Sequence, residues 1–244
     1  MLDREGDVGR NNSIAVDADG AVHIVYFDST NKDLKYATDA GGIWQTSTID
    51  SAGDVGEYCS MALDSYGNVH AVYQDMVNHS LLYITNMGGE WNRSVVDPDN
   101  VGFGTDIALD TSNNVHIAYY DSAIEVLRYA KGSAGDWTFG IIDNTGNAGK
   151  YCSLAVDRYG VAHVSYYDHF DGDLKYANNS HGSFFTTVVD SVGDVGMFTS
   201  IALKPNGVVY IAYYDRTNTN PKWAWQTGSG WFAQTLLDAP SSDV

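Results

Sequence analysis

A tyrosine and an aspartate, separated by one residue, end the same apolar run five times in this sequence. An aromatic ring can pack on the C–H face of a sugar and a carboxylate accepts hydrogen bonds from its hydroxyls, so the pair suits carbohydrate binding. The alternative, which the recurrence favours, is an aspartate that caps the following turn. As ligand-binding residues of a rim we predict Tyr26 and Asp28, Tyr73 and Asp75, Tyr119 and Asp121, Tyr166 and Asp168, and Tyr213 and Asp215.

Further side-chain oxygens follow two of these pairs. The loops read D-x-x-N-x-D from Asp28 and D-x-x-D-x-D from Asp168, and oxygen ligands at this density suit calcium. Because the spacing differs from that of known calcium loops, the pattern favours solvated turns, and calcium is the alternative. Its ligands would be Asp168, Asp171, Asp173, Asp28 and Asp33, and no other cofactor is expected.

The residues just before each S-I-A-V-type run differ in charge and size from copy to copy. A structural position keeps the same residue type in every copy, so the residues that bind a single ligand are best sought where the copies differ. Random sequence drift alone also produces such differences. We predict a second ligand-binding set here, at the mouth of a central channel: Arg10, Glu57, Tyr58, Phe103, Lys150, Tyr151 and Met197.

Four histidines recur at one position and could form a ring of metal ligands. Each lies six residues after an aspartate across a turn, as in Asp110 and His116, which favours a cross-strand hydrogen bond. In the fifth copy both members change together, to Lys204 and Tyr210. The pattern therefore favours a structural pair over a metal ring at His23, His70, His116 and His163.

The elements that carry these residues repeat about every 47 residues. Each copy contains four short β-rich runs separated by Gly, Asp and Asn turn signals, which predicts four antiparallel strands. Five such units predict an all-β, five-bladed β-propeller in one domain over 1–244. The predicted blades are 4–50, 51–97, 98–143, 144–190 and 191–238, with 239–244 as a tail.

Each copy holds a whole blade, so we expect no strand to be exchanged between the two ends of the chain. Closure of the ring would then rest on contacts between blades one and five. The chain begins with Leu2 and Asp3, which match the ends of the repeats, and this indicates a piece of a longer precursor or array.

The charge pattern restricts the partners. A net charge of -18 repels nucleic acid and anionic membranes, and no apolar run is long enough to span a bilayer.

Cys59 and Cys152 occupy the same position two blades apart and predict two buried free thiols. We expect a monomer outside the cell or at its surface, although this chain carries no export signal; the alternative is the cytoplasm of a halophile.

The segment Y-F-D-S-T-N-K-D-L-K-Y-A, from Tyr26 to Ala37, resembles repeats of bacterial and archaeal surface proteins described as sialidase-like or BNR-like propeller repeats. The Asp-box S-x-D-x-G-x-x-W of sialidases is absent, and the turn here is D-x-x-G-x-x-H. In blade number and repeat length the chain is also similar to tachylectin-type lectins. That similarity implies binding of N-acetylated sugars.

Together these patterns favour a non-catalytic recognition module that binds glycan or a surface protein, with multivalent sites on the rim. A glycoside hydrolase or lyase with one site at the channel mouth is the alternative, and a structural or protein-interaction scaffold is the third. No catalytic residue is predicted, because no nucleophile elbow or phosphate loop is present in the sequence.

Overall fold

The computed structural model describes residues 2–99, 101–133 and 135–236, with the side chains of residues 101–103 left aside. Twenty strands in these ranges form five antiparallel sheets of four. Every sheet uses four strands that are consecutive in sequence. This confirms a five-bladed β-propeller without strand exchange between the ends. The described residues include no helix with the length and apolarity to cross a membrane.

The strands are numbered in chain order. Blade one contains β1 (Val8–Val16), β2 (Val22–Asp28), β3 (Asp33–Thr38) and β4 (Gln45–Asp50). Blade two contains β5 (Val55–Leu63), β6 (Val69–Asp75), β7 (Ser80–Thr85) and β8 (Asn92–Asp97). Blade three contains β9 (Val101–Leu109), β10 (Val115–Asp121), β11 (Val126–Ser133) and β12 (Asp136–Asp143).

The last two blades follow the same plan. Blade four contains β13 (Ala148–Val156), β14 (Ala162–Asp168), β15 (Asp173–Asn178) and β16 (Phe185–Asp190). Blade five contains β17 (Val195–Leu203), β18 (Val209–Asp215), β19 (Asn220–Thr227) and β20 (Gly230–Thr235).

Aromatic pairs between neighbouring blades fill the space between the sheets. A tyrosine in the third strand of one blade meets the edge of an aromatic ring that precedes the fourth strand of the next blade, or lies within it, at centroid distances of 5.0–5.3 Å. These contacts pack each blade against the next one. The pairs are Tyr36 with Trp91, Tyr83 with Trp137, Tyr129 with Phe184 and Tyr176 with Trp231.

The recurring histidine is a structural residue. In blade three His116 is fully buried, its Nδ1 lies 2.5 Å from Tyr129 Oη, and its Nε2 lies 3.3 Å from Asp110 Oδ2. The aspartate lies 3.3 to 3.6 Å from the histidine in the other three blades, and every histidine meets its tyrosine at 2.5 Å. In blade five Lys204 Nζ lies 2.8 Å from Tyr210 Oη. The predicted aspartate–histidine hydrogen bond is therefore confirmed in blades one and three. In blades two and four the two side chains are neighbours, but Nε2 of His70 and of His163 has no hydrogen-bond partner.

The inner strands pack in succession, β1 on β5, β5 on β9, β9 on β13 and β13 on β17. No comparable packing joins β17 to β1 in the part of the chain that the structure describes. Ile14 on β1 is 62% exposed, whereas its counterparts Met61, Ile107, Leu154 and Ile201 are between 4% and 9% exposed. Our expectation that contacts between blades one and five close the ring is therefore wrong.

Cys59 and Cys152 are both buried and free, as predicted. Burial raises the pKa of the Cys59 thiol to about 12. Each thiol lies against the preceding blade: Cys59 Sγ is 2.6 Å from the carbonyl oxygen of Asn11, and Cys152 Sγ is 3.7 Å from that of Gly104.

Replacing His116 by alanine should lower the free energy of unfolding at pH 8 by about 2–4 kcal/mol, because it removes a buried ring and its hydrogen bond to Tyr129. Tyr129→Phe, which removes only the hydroxyl, should cost about 1 kcal/mol. Denaturant unfolding measures both values.

The loss caused by His116→Ala should also depend on pH. Burial lowers the pKa of His116, so the wild type loses stability as the pH falls below the ordinary histidine value of about 6.5. The variant lacks this titration, and the difference between the two proteins should shrink between pH 7 and 5. A difference that stays constant across that range would contradict the buried neutral histidine.

Candidate functional site

A bulge interrupts the first strand of the blades near its start. In blade two, for example, Glu57 pairs with Gln74 and Ser60 with Val72, so two residues of β5 face one residue of β6. The backbone at the bulge is left-handed, which is uncommon for bulky side chains and redirects them. The residues with this conformation are Asn11, Tyr58, Gly104, Tyr151 and Phe198, with φ of 47°, 53°, 102°, 55° and 54°.

Three of the bulge positions carry aromatic rings, and the rings of two of them, Tyr151 and Phe198, are in contact. The Tyr151 and Phe198 rings lie 4.4 Å apart between centroids, and Tyr167 lies 6.3 Å from Tyr151. Burial, the Glu57 charge and the nearby Tyr151 raise the pKa of Tyr58. Tyr58 and Tyr151 belong to blades two and four, so this electrostatic interaction reaches across blade three at the bulge ends of the inner strands. We call Tyr58, Tyr151 and Phe198 the aromatic cluster.

Two charged residues precede tyrosines of the aromatic cluster in sequence. Glu57 lies close enough to Tyr58 to act on its pKa, and Lys150 Nζ lies 5.6 Å from the centre of the Tyr120 ring of the neighbouring blade. Phe198 is 62% exposed and Tyr151 is half-buried, so apolar ring surface reaches solvent. The arrangement offers stacking surface with one acidic and one basic group at its side.

The remaining members of the predicted channel set differ in their surroundings. Arg10 is exposed and pairs with Asp7 of its own blade at 2.6 Å. Met197 is half-buried and pairs with Tyr214 on the neighbouring strand. The side chain of Phe103 lies outside the described residues. The structure therefore brings Tyr58 near Glu57 and Tyr151 and places Lys150 against Tyr120. Phe198, which contacts Tyr151, was not in the site prediction from the sequence.

The predicted rim pairs are buried and do not form a ligand surface. Each tyrosine hydroxyl donates a hydrogen bond at 2.6–2.8 Å to the aspartate that ends the preceding blade, or to Asp3 in blade one. None of the ten side chains belongs to a residue more than 5% exposed: Tyr26, Asp28, Tyr73, Asp75, Tyr119, Asp121, Tyr166, Asp168, Tyr213 and Asp215. The sequence could not show this, because the acceptor lies 22 or 23 residues earlier in another blade.

The aspartates of these pairs cap the next turn, as the alternative interpretation holds. Asp28 Oδ1 accepts the backbone N–H groups of Thr30 and Asn31, and Asp168 Oδ1 accepts that of Phe170. A basic side chain then bridges two buried carboxylates. Lys175 Nζ, for instance, lies 2.7 Å from Asp168 and 3.1 Å from Asp143.

The predicted calcium ligands are already engaged or crowded by like charge. Burial and the neighbouring Asp28 raise the pKa of Asp33, and burial together with Asp171 and Asp168 raises that of Asp173. Within the described ranges no group of three or more His, Cys, Asp or Glu side chains is arranged to hold a metal ion. Calcium binding stays a prediction that a melting curve with added calcium would test.

Asp106 is a feature that the sequence analysis missed. It occupies the position of a serine in the other four copies, and it joins three blades because Ser60 and Ser153 donate to its carboxylate at 2.7 and 3.1 Å. The backbone N–H of Leu154 also donates to it at 2.8 Å. Burial raises the pKa of Asp106 despite these bonds. In the sequence, Asp106 could have been identified because it stands where the other four copies have serine.

A second concave region lies at the opposite ends of the inner strands. It is a groove of about 390 Å³ between the hairpin turns of blades four and five, lined by Arg158, Tyr159 and Lys204 among others. The guanidinium of Arg158 lies 4.8 Å from the centre of the Tyr159 ring. Tyr159 is 75% exposed, which makes it a suitable reference residue for tests of the aromatic cluster.

No family model matches this chain, and no curated protein matches it in sequence. Solved structures match it in fold. The Aleuria aurantia lectin, solved as a mutant with Fucalpha1-6GlcNAc, is 13% identical with a TM-score of 0.65, over 93% of this chain and 78% of the lectin.

Two carbohydrate-active proteins are similar to the same degree. An ulvan lyase from a new polysaccharide lyase family is 13% identical with a TM-score of 0.63, over 96% of this chain and 74% of its own. A Hadza microbial sialidase is 12% identical with a TM-score of 0.62, over 95% of this chain and 59% of its own. At these identities the matches show the propeller fold.

Replacing Asp106 by serine should stabilise the protein at pH 7. Serine accepts an interblade N–H at this position in blades one and four, at 3.1 and 3.2 Å, and it carries no buried charge. Each kcal/mol gained should raise Tm by about 2–4 °C. The exposed Asp19→Ser is the control and should change stability by no more than about 0.5 kcal/mol.

The advantage of Asp106→Ser should shrink as the pH falls toward 4. A carboxyl whose pKa is raised by folding favours the folded state most at low pH and loses that contribution as the pH rises through its folded pKa. Burial of Asp106 in the wild-type protein therefore lowers the folding stability least at acidic pH. Thermal melts at pH 4 and pH 7 provide the comparison, and a larger advantage at pH 4 would refute a protonation-dependent cost.

Proposed function

We propose that this chain is a non-catalytic carbohydrate-recognition propeller with a single site at the aromatic cluster. The observation that carries the proposal is the contact between the Tyr151 and Phe198 rings, which stand at left-handed backbone positions of two blades. Tyr58, at the same position of blade two, is near enough to Tyr151 for that tyrosine to act on its pKa. Exposed ring faces pack on the apolar faces of sugars, and Glu57 and Lys150 supply a hydrogen-bond acceptor and donors beside them.

A single site replaces the multivalent rim. The repeated tyrosine–aspartate pairs are used inside the protein, whereas the aromatic cluster draws on positions at which the blades differ. The lectin, lyase and sialidase that share the fold are named for carbohydrate binding or cleavage, and this supports the choice of ligand class.

The charge of the chain narrows the class of sugar. With a net charge of -18, the surface repels polysaccharides that carry carboxylates or sulfates. The proposed ligand is therefore a neutral glycan, held by stacking and hydroxyl hydrogen bonds. Raising the salt concentration should leave its affinity almost unchanged, because screening acts on interactions between charges.

A glycan array that holds neutral and acidic sugars identifies the ligand, and calorimetry on the best neutral hit measures affinity and stoichiometry. Tyr151→Asn is the informative variant, because Asn11 occupies the same left-handed position in blade one, so the backbone is retained. Loss of a stacked ring worth about 1.4 kcal/mol should weaken binding about tenfold.

The control is Tyr159→Asn, which removes an exposed tyrosine from the opposite end of the blades and should leave the affinity unchanged. One sugar per chain supports the single site, and five equivalent sites would contradict it. Turnover of a chromogenic glycoside would identify an enzyme instead, and an array without any hit would favour the scaffold.

A further inference from the structure

Blades one and five each have an apolar face that, in the part of the chain that the structure describes, has no neighbouring blade packed on it. On blade one a groove of about 280 Å³ is lined by Leu2, Val8, Ile24 and neighbouring residues. On blade five a groove of about 390 Å³ is lined by Phe198, Tyr214 and Pro221, among others. In the other blades these faces are covered by the next blade, so the two grooves are the ends of an interrupted stack.

Equivalent residues show how much surface is left open. Ala212 on β18 is exposed, whereas its counterparts Val25, Val72, Ala118 and Ser165 are each fully buried beneath the following blade. On the other side of the gap, Ile14 is 62% exposed although its four counterparts are buried. Both sheets thus present core-type surface to solvent, which is costly unless it is covered.

A hydrogen bond repeated at the internal junctions defines what would cover this surface. Ser13 Oγ accepts the N–H of Met61 at 3.1 Å, and Ser153 Oγ accepts that of Ile201 at 3.2 Å. Asp106 plays the same part toward Leu154 at 2.8 Å. Ser200 is the equivalent residue of blade five, and it lies exposed on the open face.

We propose that the two open faces dock a further four-stranded blade of this same repeat type. Its first strand would place an apolar side chain against Ala212 and offer the adjoining backbone N–H to Ser200 Oγ, as Ile201 does for Ser153. Its second face would cover Ile14 and Val16, which are 62% and 60% exposed. The proposal does not depend on the proposed function.

A second copy of the chain does not fit the gap in this way. Propellers close with about four to eight blades, so a stack of five leaves room for at most about three more. A second copy that docked on blade five through its own first blade would add five blades, and these would clash with blade one. Its net charge of -18 would add repulsion.

The test uses the full chain with one repeat added. A copy of residues 144–190 is joined after residue 238, in the repeat register, and amide hydrogen exchange is followed in β17 and β18. We expect exchange there to slow about tenfold or more relative to the unextended chain, with a higher Tm, since the new blade buries the open face. A second chain carries the copy of residues 144–188 ahead of Leu2 and reports on β1 in the same way.

The matched control is the same extension with Leu154→Asp in the added copy, which places a charge at the new junction and should abolish both effects while leaving the five original blades intact. Unchanged exchange in β17, β18 and β1 with the unmutated extension would overturn the proposal. So would sedimentation of the unextended chain as a dimer in which these strands are already protected, because the occupant would then be a second copy.

Discussion

The hydrogen bond from a buried tyrosine to the aspartate that ends the preceding blade is the contact on which the stack depends. It occurs at each of the four internal junctions and again between Tyr26 and Asp3. A buried carboxylate is costly unless it is paired, and here a lysine or arginine completes the pairing. Burial alone would raise the pKa of Asp143, but hydrogen bonds from Thr145 and Tyr166 and the charge of Lys175 hold it below its usual value.

This constraint explains what the sequence could and could not predict. Turn signals and the repeat length predicted the strands correctly, because each hairpin is local. The role of Tyr73 was not predictable in the same way, since its acceptor Asp50 lies in another blade. Apolar and polar residues alternate along a strand only when one of its faces is exposed to water. In β6 and β10 both faces are buried, so the sequence pattern does not distinguish them.

The candidate site was predictable in part for a related reason. Glu57, Tyr58, Lys150 and Tyr151 could be identified because they break the sameness of the copies. Their arrangement in space could not, because it requires a left-handed residue in each inner strand. Of the five bulge residues only Asn11 and Gly104 have types that favour that conformation. The same comparison identifies Asp106 when it includes residues within the first strand, because Asp106 replaces the serine of the other four copies.

The open junction and the aromatic cluster bear on each other. Phe198 belongs to the aromatic cluster and also lines the groove on the open face of blade five, so one side chain serves both surfaces. A further blade docked there would add its own bulge residue beside Phe198 and would stand between that ring and Arg10. The wall of the channel mouth would then be continuous, and the ligand would contact one more side chain. Under the two proposals, affinity for a sugar and docking of a blade would be coupled through Phe198, and a change in either should alter the other.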